Sequence, residues 1–491
     1  MQPSRSAFFR VLAALLLLAG ATGQPARAGI GKPESAAPGV VLRSVRLFDP
    51  RTGVITEPQD VLIVKDRIAA VGAGLEVPPA TRTIEGAGRY LLPGLFDCHT
   101  HLAQLTRVPE DSLRRALEGF VRAGVTQVRD MGGPLGVMQE MARHTTEGRA
   151  ATLPARGRKV GDAARAAREE LLGPEIFYAG PMMETSPLTH GNMNDSLPGF
   201  AVAMDTERQV DSLLAELVAH GARLVKTYGK ADSAVYRHLV EGAARLGLKV
   251  AHDPGGMLFH RMPMDLALDL GVTCFEHGKA PWPIVLRDDL QREHDSLLVQ
   301  PGTATAATSF MPRVMALGAA SMDVEKLHAL AARMRGRGAY LCPTLQVFDG
   351  VEEAAFAREK EASGLQELPE ETKLMIRRTF ACLDSVSRLC VRTLAADHMR
   401  MLVGQDNCDA TRTAREMRRM AVCGVSPVEI LRGATLYPAE WLGVADRLGS
   451  IAPGRQANLV LLERNPLEEI GNIESVAAVF VRGREIPARP K

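Results

Sequence analysis

Along most of the chain, short apolar runs that stop on a polar residue alternate with stretches whose apolar positions recur at helical spacing. Between Leu91 and about Gly443 these runs are LLPGLFDCH, GVTQVRD, EIFYAG, ARLVKTY, LKVAHD, VTCFEHG, AYLCPT and MLVGQD. Eight strands alternating with helices predict an α/β fold of the (β/α)8 barrel type, whose chemistry collects where strands end and loops begin. Lys226 to His252 is 26 residues and His252 to His277 is 25, each the length of one strand-helix unit. Two places break the rhythm. The Ala/Arg-rich stretch GRAATLPARGRKVGDAARAAREELLG, between the second and third strands, is expected to be a solvated helix. Residues 280–335, between the sixth and seventh, predict an insertion over the active face that contacts substrate. Outside the barrel, VVLRSVRLFD and DVLIVKDRIAAVG at one end share a β-rich texture with QANLVLLERNP and VAAVFVRGREI at the other. The expected organisation is a barrel over 91–443, flanked by 29–90 and 444–491, which pair into one small composite β-sandwich. Ser426-Pro427-Val428-Glu429 is a capping box that opens a helix and carries no chemistry.

The first 28 residues follow a different pattern. Arg5 and Arg10 precede the apolar run VLAALLLLAGA, and the segment closes on Ala26-Arg27-Ala28 before Gly29, the layout of a cleaved secretory signal peptide. The run is too short for a bilayer, which needs roughly 20 apolar residues. The mature protein is therefore expected in the periplasm or secreted, with no membrane span. The leader holds three positive charges and no negative ones, so the formal net charge of +2 falls to −1 without it. With no basic stripe interleaved with aromatics, a nucleic-acid partner is excluded. The expected partner is a small-molecule substrate, and assembly into a homo-oligomer is compatible with the pattern. Seven cysteines in 491 residues make no disulfide framework. Cys98, Cys274 and Cys408 lie close to the candidate site residues but are expected to be small buried hydrophobes, with Cys98 pointing away from its histidine neighbours into the packing around the barrel.

The candidate chemistry starts at His99 and His101, which end the first predicted strand. Alternate residues of a strand share a face, so both rings can reach one ion. An H-x-H pair alone is a weak signal. It gains weight because later strand ends add Lys226, His252, His277 and Asp406. Imidazole nitrogens and a carboxylate suit Zn2+, with Mn2+ or Co2+ also acceptable. A lysine ammonium would repel such ions, whereas an amine that had captured CO2 as a carbamate would supply two anionic oxygens that bridge them.

LLPGLFDCHTHL, GVTQVRDMGG, LVKTY, FEHG and ATLYPAEWLGVADRLGSIAPGRQANLVLLERNPL resemble the amidohydrolase superfamily, specifically its imidazolonepropionase-like and prolidase-like branch. The resemblance covers nearly the whole mature chain, with its motifs in order. It implies a binuclear metal centre in which His99 and His101 hold the more buried ion, N-carboxylated Lys226 bridges, and His252 and His277 hold the second. Asp406 would ligate the first ion and move protons as the catalytic residue. Tyr228 and His190 would contact substrate, and Arg129-Asp130 would be an ion pair supporting the barrel mouth. The implied reaction is hydrolysis of an amide bond in a dipeptide or N-acyl amino acid. A cyclic amide or lactone is the alternative substrate, and a barrel that binds without turnover is the alternative from another class. The chain departs from the family pattern at Asp253-Pro254, Gln405 and Asn458, the first two of which put the detailed shape of the substrate pocket in question.

Overall fold

Each of the eight apolar runs forms a strand in the computed structural model, which describes residues 39–147, 173–229, 231–255, 262–299, 304–348 and 369–487. The expected signal peptide, and all but the last residue of the Ala/Arg-rich stretch, lie outside the described residues. The barrel strands are β1 (Leu95–Thr100), β2 (Val125–Asp130), β3 (Glu175–Tyr178), β4 (Leu224–Tyr228), β5 (Lys249–Asp253), β6 (Cys274–Glu276), β7 (Tyr340–Cys342) and β8 (Arg400–Met401). β1 to β3 pair in order, as do β4 to β8, all in parallel. Backbone bonds close the ring, Cys98 N–H donating to the Val403 carbonyl at 2.7 Å and Arg223 N–H to the Tyr178 carbonyl at 3.2 Å. Every residue of β1 and β2 is buried, because helices cover the outer face while side chains fill the inner one.

The two ends of the chain pair as expected. Tyr90–Pro93 runs parallel to Val40–Asp49 on one side and antiparallel to Leu459–Leu462 on the other, and the sheet continues outward through Gln59–Val64 and Arg67–Gly72 at one edge and Val476–Val481 and Arg484–Pro487 at the other. Leu42, Val61, Leu91, Leu459 and Phe480 form its core.

Inside the barrel, Phe96, Phe177, Leu224, Ala251, Leu402 and three cysteines pack together. Cys98 is one of these, a correction to the expectation that it faces outward. The pairing of β1 with β2 shifts register between Asp97 and Thr100, so simple alternation does not carry through that stretch. All the cysteines are free thiols. Gly404 sits where strand ends crowd: a Cβ there would lie 2.6 Å from the Cys342 sulfur and 2.7 Å from the His99 nitrogen.

Three helices matter for the site. α1 (Ser233–Arg245) covers β4 and β5, α2 (Glu370–Ala396) lies between β7 and β8, and α3 (Thr411–Val422) follows β8. Residues 280–335 do hold helices, Asp288–Val299, Ala304–Leu317 and Val324–Gly336.

Candidate metal centre

At the carboxyl-terminal mouth of the barrel, His99, His101, Lys226, His277 and Asp406 line one cavity of about 280 Å3. The five come from β1, β4 and the ends of β6 and β8, so the barrel brings together residues that are as far apart as 99 and 406 in the chain. Tyr228 and His190 line the same cavity. The His190 ring stands edge-on to Tyr228 with centroids 4.7 Å apart, and its Nδ1 bonds to the Glu184 carboxylate.

His252 is the exception. Register pairs Thr227 with His252 and Tyr228 with Asp253, so the inward residues of β4 and β5 are Lys226, Tyr228, Ala251 and Asp253. His252 points outward, towards α1. Its Nδ1 lies 2.9 Å from Thr227 Oγ1, its Nε2 lies 3.1 Å from the Met262 carbonyl oxygen, and its ring stands edge-on to Tyr236 of α1. Burial lowers its pKa to about 4, so the ring is a neutral, fully bonded core residue. Asp253 lines the cavity in its stead.

The donors gather round two carboxylate oxygens. Asp406 Oδ1 lies 3.1 Å from His101 Nε2 and 3.5 Å from His99 Nε2. Asp253 Oδ2 lies 2.8 Å from His277 Nε2 and 3.6 Å from Lys226 Nζ. One atom each from His99, His277 and Asp406 lie within 4.8 Å of one another, a spacing that a single cation could span. Burial pushes the Asp406 carboxyl up, but the facing imidazoles outweigh it and hold the group well below the usual carboxylate range. Asp253 is likewise held low, its burial outweighed by His277 and Lys226. Burial brings His99 down to about 4, which leaves its Nε2 lone pair available.

These residues fit divalent ions on two counts. The donor set is imidazole and carboxylate, and two polar atoms are left unsatisfied: Lys226 Nζ and His101 Nδ1 are buried with no hydrogen-bond partner. At 1% exposure the Lys226 nitrogen has the 3.6 Å ion pair with Asp253 and no hydrogen bond, and a buried charge so thinly paired is costly. The histidines are also oriented from behind. His99 Nδ1 sits 2.7 Å from Glu276 Oε2, and the other Glu276 oxygen takes a 2.7 Å bond from Arg129. His277 Nδ1 sits 2.8 Å from Thr344 Oγ1. Such partners fix tautomer and aim of a metal-binding ring. His277, Thr344 and Asp406 all take left-handed backbone conformations, with φ of 72°, 48° and 58°, and strain of this kind concentrates at functional sites.

Two further expectations need correction. Arg129 and Asp130 are not paired with each other. Arg129 is fully buried on Glu276, and Asp130 accepts the backbone N–H groups of Leu102 and Gly132 at 2.5 and 3.2 Å. Among the described residues, none from 280–335 lines the cavity. Its apolar wall is Val347, Phe348 and, from α2, Phe380 and Leu383, all from the β7–β8 connection. One cavity residue was not anticipated: Lys279 enters it, its ammonium 3.2 Å from the Gly255 carbonyl oxygen. Its nearness to His277 in FEHGK was the only sequence signal that could have found it.

Residues 335–486 match the profile of the amidohydrolase family. An imidazolonepropionase of Vibrio cholerae is 40% identical over 79 residues, 15% of this chain and 20% of the relative. A dihydroorotase of Mycobacterium leprae is 35% identical over 89 residues, 18% of this chain and 20% of that one. The matched part of the chain thus spans about a fifth of the length of these curated relatives. The fold match is far broader. A prolidase solved in complex with N-methylphosphonate-L-proline superposes with a TM-score of 0.64 at 21% identity, covering 91% of this chain and 99% of that structure. Residues 335–486 thus carry the amidohydrolase-family match, and the chain as a whole shares its fold with the solved prolidase.

Proposed function

We propose that the protein is an exported, metal-dependent hydrolase of carbon–nitrogen bonds, acting on the amide of a dipeptide, as a prolidase does, or of an N-acyl amino acid. The observation that carries this reading is the convergence of His99, His101, Lys226, His277 and Asp406 on one buried cavity, with the Lys226 ammonium left without a hydrogen bond. His99, His101, His277 and Asp406, with an N-carboxylated Lys226, would hold two divalent ions of the Zn2+, Mn2+ or Co2+ kind. Divalent ions so placed lower the pKa of water and polarise a carbonyl.

The side chains divide the remaining work. Asp406, acidic and bonded to His101, takes the proton of the attacking water and passes it to the leaving nitrogen, so general base becomes general acid. Lys279 receives the substrate's free carboxylate, since its ammonium enters the cavity and its hydrogen bond is to the Gly255 carbonyl rather than to a carboxylate. Tyr228 and His190 steady the substrate from the same side. Phe380 and Leu383 of α2 face the apolar part of the substrate.

A second reading, hydrolysis of a cyclic amide or lactone, is favoured by the likeness to an imidazolonepropionase and by the small volume of the cavity. Turnover of metal-loaded protein against dipeptides, N-acyl amino acids, cyclic amides and lactones separates the two. Cleavage of the linear amides is the expected result. Activity confined to lactones or cyclic amides selects the second reading, and tight binding without turnover of any of them overturns both in favour of a binding protein.

A further inference from the structure

We propose that Asp253, not a histidine, is the fifth strand's ligand to the second ion, and that this carboxylate biases the centre towards Mn2+ at the expense of Zn2+. The inference rests on the metal-dependent reading above. Its ground is geometric. Asp253 is the last inward residue of β5, 5% exposed at its side chain, and its Oδ2 lies 2.8 Å from His277 Nε2 and 3.6 Å from Lys226 Nζ. His277 Nε2 and Asp253 Oδ2 thus meet beside Lys226 Nζ, from which the oxygens of a carbamate would extend towards them, as His99 and His101 meet around Asp406. Oxygen and nitrogen atoms that share an ion approach each other at about this separation, because each stands about 2.0–2.2 Å from the metal.

His252 has no means to join them. Both ring nitrogens are engaged on the outer face of the sheet, and swinging the ring inward would break its bonds to Thr227 and Met262 and require the β4–β5 register to slip by one residue. The exchange of imidazole for carboxylate changes the chemistry of the half-site. Together with an N-carboxylated Lys226 it presents mainly oxygen, and oxygen donors suit Mn2+, whereas imidazole suits Zn2+. The added negative charge also offsets a second cation more fully than a neutral ring would.

The test is metal uptake by the purified protein, read by elemental analysis after dialysis and by competition against a chelator, with Mn2+ and Zn2+ as the probes. Wild-type protein is expected to hold two ions. Asp253→Asn should lose the second, or bind it on the order of 100-fold more weakly, while His252→Asn, which keeps a polar group for Thr227, retains both. Asp253→His should regain two ions with Zn2+ favoured over Mn2+ by about tenfold more than in the wild type, and its recovery shows that position 253 tolerates substitution. Loss of the second ion in His252→Asn, an undiminished second ion in Asp253→Asn, or a wild-type metal preference in Asp253→His would each overturn the assignment. No turnover is measured, so the outcome is separable from the proposed reaction. Protein that binds metal in the expected pattern but cleaves no amide defeats only that reaction, whereas wild-type protein that holds one ion or none defeats the ligand assignment.

Discussion

Asp406 combines a left-handed backbone, a bond to His101 and a strongly acidic carboxyl, a conjunction that serves a group which must stay ionised until it is handed a proton. Replacing it with Asn keeps the shape and removes the base. We expect Asp406→Asn to lower kcat by about 10^3-fold or more with an unchanged circular dichroism spectrum, and a rate close to wild type would remove it from the proton path. Lys279 should separate binding from chemistry. Lys279→Met is expected to raise KM for substrates with a free carboxylate by about 10- to 100-fold, the loss of one charged hydrogen bond, and to leave the corresponding carboxamides unaffected. An equal loss on both would show that Lys279 does not read the carboxylate. At this scale the sequence was legible wherever an apolar run offered a single ligand-capable side chain, as at Lys226 and Asp406. It was ambiguous at His252-Asp253, where two ligand-capable residues stand side by side. Only the pairing of Thr227 with His252 tells which of them faces inward.

Among the elements, α3 does most to hold the mouth of the barrel in shape. Thr413 donates a 2.6 Å bond to Asp97, which in turn accepts the backbone N–H groups of His99 and Gln405 at 3.2 and 3.3 Å. One turn on, Glu416 accepts the Gln346 N–H at 2.7 Å, so this helix braces the ends of β1, β7 and β8 together. Glu416 is fully buried and burial pushes its pKa up to about 8. In the unfolded chain the same group ionises near about 4.3. Between those values the native state keeps a proton that the unfolded state releases, so this residue makes stability fall as pH rises from about 4 to 8. Glu416→Gln should remove that slope: the variant gains on the wild type between pH 5 and pH 8 in denaturant midpoint, and a parallel pH course for both would refute the assignment. Strand existence was readable because an apolar run with a polar end is a local signal. The wall built by Phe380 and Leu383 was not, since it depends on how α2 lies across the mouth, which no local spacing encodes.

At the scale of the molecule, the barrel stands on a sheet that neither end of the chain completes alone. Leu91 and Leu92 are fully buried between strands that come from opposite termini. A chain that stops before Leu459 would leave Tyr90–Pro93 as an exposed, apolar edge, and such edges recruit other chains. We expect that truncation to move the protein from the soluble to the aggregated fraction, while full-length protein stays soluble; a soluble truncated barrel with the native spectrum would show that the sheet is dispensable. The composite sheet was legible from texture, since the same short β-rich runs recur at both ends. The register within it was not.

The sheet also imposes an order in time. Arg67 bonds to the Gly454 carbonyl across a sequence separation of 387, and Gly94 N–H donates to the Asn458 carbonyl. Contacts of such separation form late and slowly. While the ribosome is still adding residues, Tyr90–Pro93 has only its amino-terminal neighbour, and the base of the barrel stays open until the final strands arrive. The strand Tyr90–Pro93 therefore lacks its second neighbour until nearly the whole chain has been made.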